Sequence, residues 1–87
     1  VADISTTGYD IAIEDVYGNA VEGVTKDDVT LYNETDSASI TITSMTESTT
    51  TPGSYVVVMP AQTSADELTH TMAFAGYEKQ ATTITIP

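Results

Sequence analysis

The chain has no cysteine and no tryptophan, and among its 87 residues only two are basic and one is histidine. Without cysteine no disulfide can staple a small domain, and zinc–thiolate, iron–sulfur and cysteine-nucleophile chemistry are excluded. One histidine cannot assemble a transition-metal site built on several nitrogens. Long hydrophobic runs are also missing: no stretch approaches the roughly 20 apolar residues of a spanning helix. The opening Val1-Ala2-Asp3-Ile4-Ser5 has neither the basic start nor the apolar centre of a signal peptide. Direct membrane insertion is therefore not expected. Because the first residue is not Met, the sequence reads as a processed or excised piece of something longer, the form in which repeated modules occur.

Charge of one sign is nearly absent as well. Against 13 Asp and Glu stand 2 Lys and Arg, a formal net charge of −11. Such a surface repels phosphates and anionic lipid, which removes nucleic acid from the partners. Its plain reading is a solvated coat. Its sharper reading is that some carboxylates collect Ca²⁺, a cation that takes oxygen ligands.

What is present describes a small globular β-domain. Hydrophobic residues make up 40% and charged residues 17%, a folded rather than a disordered composition. Residues 1–87 make one domain, and a chain of this length buries only about 60–65% of its unfolded surface. Thr and Ser dominate the polar remainder, and β-branched Thr suits a pleated, half-wet surface.

Alternation then marks the strands. Val1–Ser5 is an edge strand or the tail of a linker. Tyr9, Ile11 and Ile13 share one face, and Asp15 to Asn19 forms a turn in which Gly18 and Asn19 tolerate positive φ. Val21–Thr25 is a short connection, and Lys26-Asp27-Asp28 leads into a strand carrying Val29 and Leu31. A polar loop spans Asn33–Ser37. Ser39–Met45 is a strand with Ile40 and Ile42 inward. Pro52-Gly53 ends a Ser/Thr run, and Tyr55–Met59, apolar on both faces, reads as a central strand. Ala61–Asp66 has room for a helical turn. Leu68, His70, Met72 and Phe74 share the inner face of the next strand, Gly76–Lys79 turns the chain, and Ala81–Ile86 closes it. About seven sequential strands without an amphipathic helix predict an all-β, immunoglobulin-like two-sheet antiparallel sandwich with a Greek-key connection.

The pattern Asp15-x-x-Gly18-Asn19-x-Val21-x-Gly23-Val24, the Pro52-Gly53-x-Tyr55 strand and the closing Thr-Ile-Thr-Ile together resemble the bacterial immunoglobulin-like domains of the invasin and intimin type. The likeness runs from Tyr9 to Ile86. It departs at Ala20, where the family usually has Pro. The resemblance implies an extracellular sandwich repeated along bacterial surface adhesins, with neighbouring domains of the same chain as partners and no chemistry of its own. Similar domains decorate phage particles, so a virion surface is the alternative location.

No residue reads as catalytic. His70 sits on an apolar face and reads as a hydrogen-bonded core residue. Ser54 follows Gly53 but lacks a nucleophile elbow. In Asp27-Asp28 and Asp66-Glu67 adjacent side chains point to opposite faces and do not converge on a substrate. The candidate Ca²⁺ ligands are Asp15 and Asn19, with Glu22 or a chain-end carbonyl. Asn33-Glu34-Thr35 matches the glycosylation pattern, which is accidental in a bacterial source. Tyr55 is a packed residue whose hydroxyl finds a backbone partner at the sandwich corner. Tyr17 and Tyr32 are the candidate contacts to a host protein or glycan. The reading is thus a non-enzymatic spacer, with a binding or decoration module, or a Ca²⁺-rigidified extender, as its rivals.

Overall fold

The computed structural model describes residues 2–73 and 80–87. The alternating segments become strands β1 (Ala2–Ser5), β2 (Gly8–Ala12), β3 (Val29–Asn33), β4 (Ala38–Ile40), β5 (Ser44–Glu47), β6 (Ser54–Val58), β7 (Glu67–Met72) and β8 (Gln80–Thr85). They form two antiparallel four-stranded sheets, ordered β1-β2-β6-β5 and β4-β3-β7-β8. Neighbours in sequence form the hairpins, and the long-range pairings β2–β6 and β3–β7 join the hairpins into sheets. The chain passes from one sheet to the other between β2 and β3, β4 and β5, and β6 and β7.

Period-2 patterning explains why the sheets face each other. Tyr9 and Ile11 of β2, Tyr55 and Val57 of β6, Leu31 of β3, Leu68 and Met72 of β7 and Ile84 of β8 are all buried in one cluster. Their outward neighbours are mostly polar, which is what a sheet with one wet face requires. β6 is indeed central, between β2 and β5. Its outer face is not buried, however: Val56 and Val58 remain 48% and 40% exposed.

The described strands number eight rather than about seven. Ser39–Met45 is two strands in opposite sheets: Ile40 pairs with Leu31, whereas Ser44 pairs with Val58. The crossing at Thr41–Thr43 buries Ile42 and is anchored where Thr43 N donates to Val58 O at 2.8 Å. Inward positions change from even-numbered Ile40 and Ile42 to odd-numbered Met45, which pairs with buried Val57, so the alternation slips by one residue at Thr43–Ser44. Val1–Ser5 resolves as an edge strand from Ala2 onward. Ala61–Asp66 carries no helical turn, while Lys26–Asp28 forms a single 3₁₀ turn held by Asp28, whose carboxylate accepts from Thr25 N at 2.9 Å. Phe74 and the Gly76–Lys79 turn lie outside the described residues.

Hydrogen bonds at the two ends of the sandwich orient the chain. At one end Gln62 N donates to Thr6 O and Ala65 N to Ile86 O, which brings the β1–β2 turn and the end of β8 together. At the other, the Gln80 side chain donates to Glu14 O, beside the loop that follows β2. Ala2 pairs with Asp10, toward that second end. The described ends of the chain, Ala2 and Pro87, therefore lie at opposite poles of a body 33 Å long.

Candidate functional site

The longest segment outside the strands and their tight turns, from Ile13 to Thr25, carries most of the residues singled out by sequence. Its first half is a miniature hairpin closed by a bridge between Glu14 and Ala20. Asp15 organises the tip. Its Oδ1 accepts from Tyr17 N at 2.8 Å and Asn19 N at 2.9 Å, and its Oδ2 from the Asn19 side-chain amide at 3.3 Å. These bonds, chiefly the one from the Asn19 backbone, hold the Asp15 carboxyl below its ordinary pKa. Gly18, at φ 82°, supplies the left-handed residue the turn needs.

The structure thus brings Asp15 and Asn19 together, but as an acceptor and its donor. Asn19 presents its amide nitrogen to Asp15, not the oxygen a cation would take, and Glu22 does not join them. Among the described residues no group of three or more His, Cys, Asp or Glu side chains is arranged to hold a metal. What the tip does present is apolar: Val16 is 72% and Tyr17 86% exposed. Tyr32 is half-buried on the outer face of the other sheet, between Ser39 and Thr69. The pairing of its neighbour Asn33 with Leu68 sets it toward the opposite pole, so the two candidate contact tyrosines do not share a surface.

The second half of the segment is pinned from below. The Tyr55 hydroxyl donates to Val21 O at 2.7 Å and accepts from Val24 N at 3.1 Å, which is the corner bond expected of it. Beside it, Glu47 accepts from Gly23 N through one carboxylate oxygen and from Gly53 N through the other. Those two bonds, first the one from Gly23, draw the Glu47 pKa down. Gly53 is irreplaceable on steric grounds as well. It sits at φ 80°, and a Cβ there would come within 2.7 Å of the Ala20 methyl.

Two buried polar groupings lie outside the residues flagged by sequence for their contacts. His70 is inward-facing as expected, but its partner is the Tyr9 hydroxyl on the facing sheet, which meets Nδ1. The other ring nitrogen, Nε2, is buried with no hydrogen-bond partner. Desolvation lowers the His70 pKa to about 4 and pushes that of Tyr9 up. At the opposite pole Asn33 is 1% and Asp66 5% exposed. The Asn33 amide donates to Asp66 at 2.9 Å, to Gln62 at 3.0 Å and to Asp36 at 3.3 Å. This knot ties the β3–β4 loop to the β6–β7 connection. The signal for it was the parity of Val29, Leu31 and Asn33, which places an amide in line with two core residues.

An open groove of about 260 Å³ runs along Val29, Leu31, Ile40 and Ile42. It exists because β4 stops pairing with β3 at Ile40 and the chain crosses to the other sheet from Thr41. Among the described residues no helix is long and apolar enough to cross a membrane. Comparison with protein-family models and with curated proteins yields no match.

Proposed function

We propose that this chain is a non-enzymatic spacer module of an extracellular bacterial surface adhesin of the invasin and intimin kind. Its partners on this reading are neighbouring domains of the same chain, and its task is to hold a distal binding region away from the cell. The observation that carries the reading is the placement of the chain ends at opposite poles on edge strands of opposite sheets. Tension applied to those ends runs along β1 and β8, perpendicular to their ladder hydrogen bonds, so the bonds are sheared together rather than opened singly. The pinning of the Ile13–Thr25 segment by Tyr55 and Glu47 supports the same reading, since it removes the longest slack loop. Stretching a concatemer of the domain between its ends tests this. Discrete unfolding events, with an early short step from β1, are expected; smooth extension without them removes the spacer reading.

A second reading, a binding or decoration module on a cell or virion surface, draws on one observation. Val16 and Tyr17 are large apolar groups held out on a turn that Asp15 keeps rigid, the arrangement of a preorganised contact. Saturable binding to a host protein or glycan, lost on Tyr17→Ala and kept on Tyr32→Ala, favours this reading over the spacer.

A further inference from the structure

A sheet edge is a row of unpaired backbone groups, and natural proteins protect it with short strands, bulges, charge or proline. Three of the four edges here are protected in this way. β1 has an irregular register between Ala2 and Ser5 and a left-handed residue, Asp3, at φ 50°. β4 is three residues long. β5 has four residues and ends in Glu47. β8 has no such device. Its six residues pair with β7 in unbroken register, and they include no charge, no proline and no bulge.

The direction in which its backbone groups point follows from neighbouring bonds. Ile86 N donates to Asp66 O, so the even-numbered residues of β8 turn their N–H and C=O toward β7. Glu34 N donates to Glu67 O and Ala73 N to Asp28 O, so the odd-numbered residues of β7 face β3, as that assignment demands. The N–H and C=O groups of Ala81, Thr83 and Thr85 therefore point away from the sheet, and β8 is the last strand in its order.

We propose that this edge takes a second copy of the chain, the two β8 strands pairing antiparallel about a two-fold axis at Thr83. The occupant follows from the self-complementarity of the strand. An axis on a residue, rather than between two, matches outward donors to outward acceptors, and of these the axis at Thr83 uses all three of Ala81, Thr83 and Thr85. Thr83 then faces Thr83, and Ala81 faces Thr85 on both sides of the axis. All are small or β-branched and uncharged, the side chains that favour cross-strand contact. On the adjacent strand β7 the carboxylate of Glu67 sits opposite Thr85. The two Glu67 side chains lie three strand spacings apart across the strands and four residues apart along them, roughly 20 Å in all, beyond the screening length of about 10 Å at 0.1 M salt. The charge of −11 on each copy opposes association only through this screened field. Pairing therefore strengthens as salt rises, the reverse of an interface held by ion pairs. The contact is one strand wide, so the dimer is weak and forms at high local concentration.

Sedimentation of the whole chain up to ~1 mM, in ~0.05 M and ~0.5 M NaCl, tests this. A monomer–dimer equilibrium that shifts toward dimer in the higher salt is expected. Thr83→Lys sets two ammonium groups face to face and weakens dimerisation roughly tenfold, even though it lowers the net negative charge. Thr46→Lys on β5 makes the same charge change at another edge and leaves the dimer intact. Hydrogen exchange in the unmutated chain gives an independent readout: the amides of Ala81, Thr83 and Thr85 slow with concentration. A monomer at every concentration and salt, or equal association of the two lysine variants, or exchange at Ala81, Thr83 and Thr85 that ignores concentration, overturns the proposal.

Discussion

Tyr9 and Tyr55 stand on adjacent strands of one sheet, both buried, and their hydroxyls are handled in opposite ways. Tyr55 both donates to and accepts from the backbone, at Val21 and Val24, so every polar group in its corner has a partner whatever the pH below its own titration. Tyr9 meets a titratable ring, His70, whose far nitrogen has no partner. Burying a polar group is tolerable when its bonds are complete and costly when they are not. The first corner ties a loop to the core; the second bridges the two sheets but depends on the number of protons on one imidazole.

Acid offers the largest expected effect separating the two. Folded His70 stays neutral down to about pH 4, while the unfolded chain takes up its proton near the ordinary imidazole value of 6.5. The neutral-ring stability is thus complete above pH 6.5 and is lost as pH falls from 6.5 to 4. A shift of this size corresponds to on the order of 3 kcal/mol. Carboxylates with lowered pKa values act at the acid edge of this window and below it, Glu47 from its ordinary 4.5 downward and Asp15 from 3.8. Urea unfolding at pH 7, 5.5 and 4 should show the decline, and equal stability at all three would show that the ring titrates alike in both states.

Tyr55→Phe comes next. It removes the donor to Val21 O and leaves Val24 N buried without its acceptor, an expected loss of roughly 2 kcal/mol that does not change between pH 5 and 8. In the other corner, Tyr9→Phe orphans the second nitrogen of His70 and costs about 1 kcal/mol, but Tyr9→Phe with His70→Leu together should fall close to the parent at pH 7. The double variant should also lose the decline between pH 6.5 and 4. A double variant as damaged as Tyr55→Phe would mean that the Tyr9–His70 pair contributes what the Tyr55 corner does.

How much of this contrast could be read from sequence follows from what alternation encodes. Parity placed Tyr9, Ile11, Leu68, His70 and Met72 inward correctly, because each lies in a strand whose other face is polar, whereas Tyr55–Met59, apolar on both faces, gave no parity to read. Parity says nothing about which inward residue faces which across the layers, so the meeting of Tyr9 with His70 over 61 positions was out of reach. The sheet change at Thr41–Thr43 was hidden for another reason: the alternation slips by one between Ile42 and Met45, but the Thr and Ser residues at the slip give no apolar contrast, and no Gly or Pro marks the crossing. Asp15 and Asn19 were rightly placed in one turn; their roles depend on which amide atom turns toward the carboxylate, a torsion the sequence does not carry. Asn33 lay within a polar run that reads as loop, yet its parity with Leu31 was the sign of burial.

The smallest expected effect belongs to Glu47, and it tests whether the Tyr55 corner is independent of pH throughout. Its two oxygens accept from Gly23 N and Gly53 N, two residues at φ 80° that bracket the corner from the loop and from the β5–β6 turn. The folded pKa lies below the ordinary 4.5, so this contribution is present above that value and fades as pH falls through the lower one. Glu47→Gln keeps one acceptor oxygen and forces an N–H toward the other glycine amide. It should lower the melting temperature at pH 7 by less than Tyr55→Phe does, and the difference from the parent should vanish once acid has protonated Glu47. A Glu47→Gln deficit that persists unchanged after Glu47 has been protonated would place its cause in packing rather than in the carboxylate, and the Tyr55 corner would then stand without an electrostatic support.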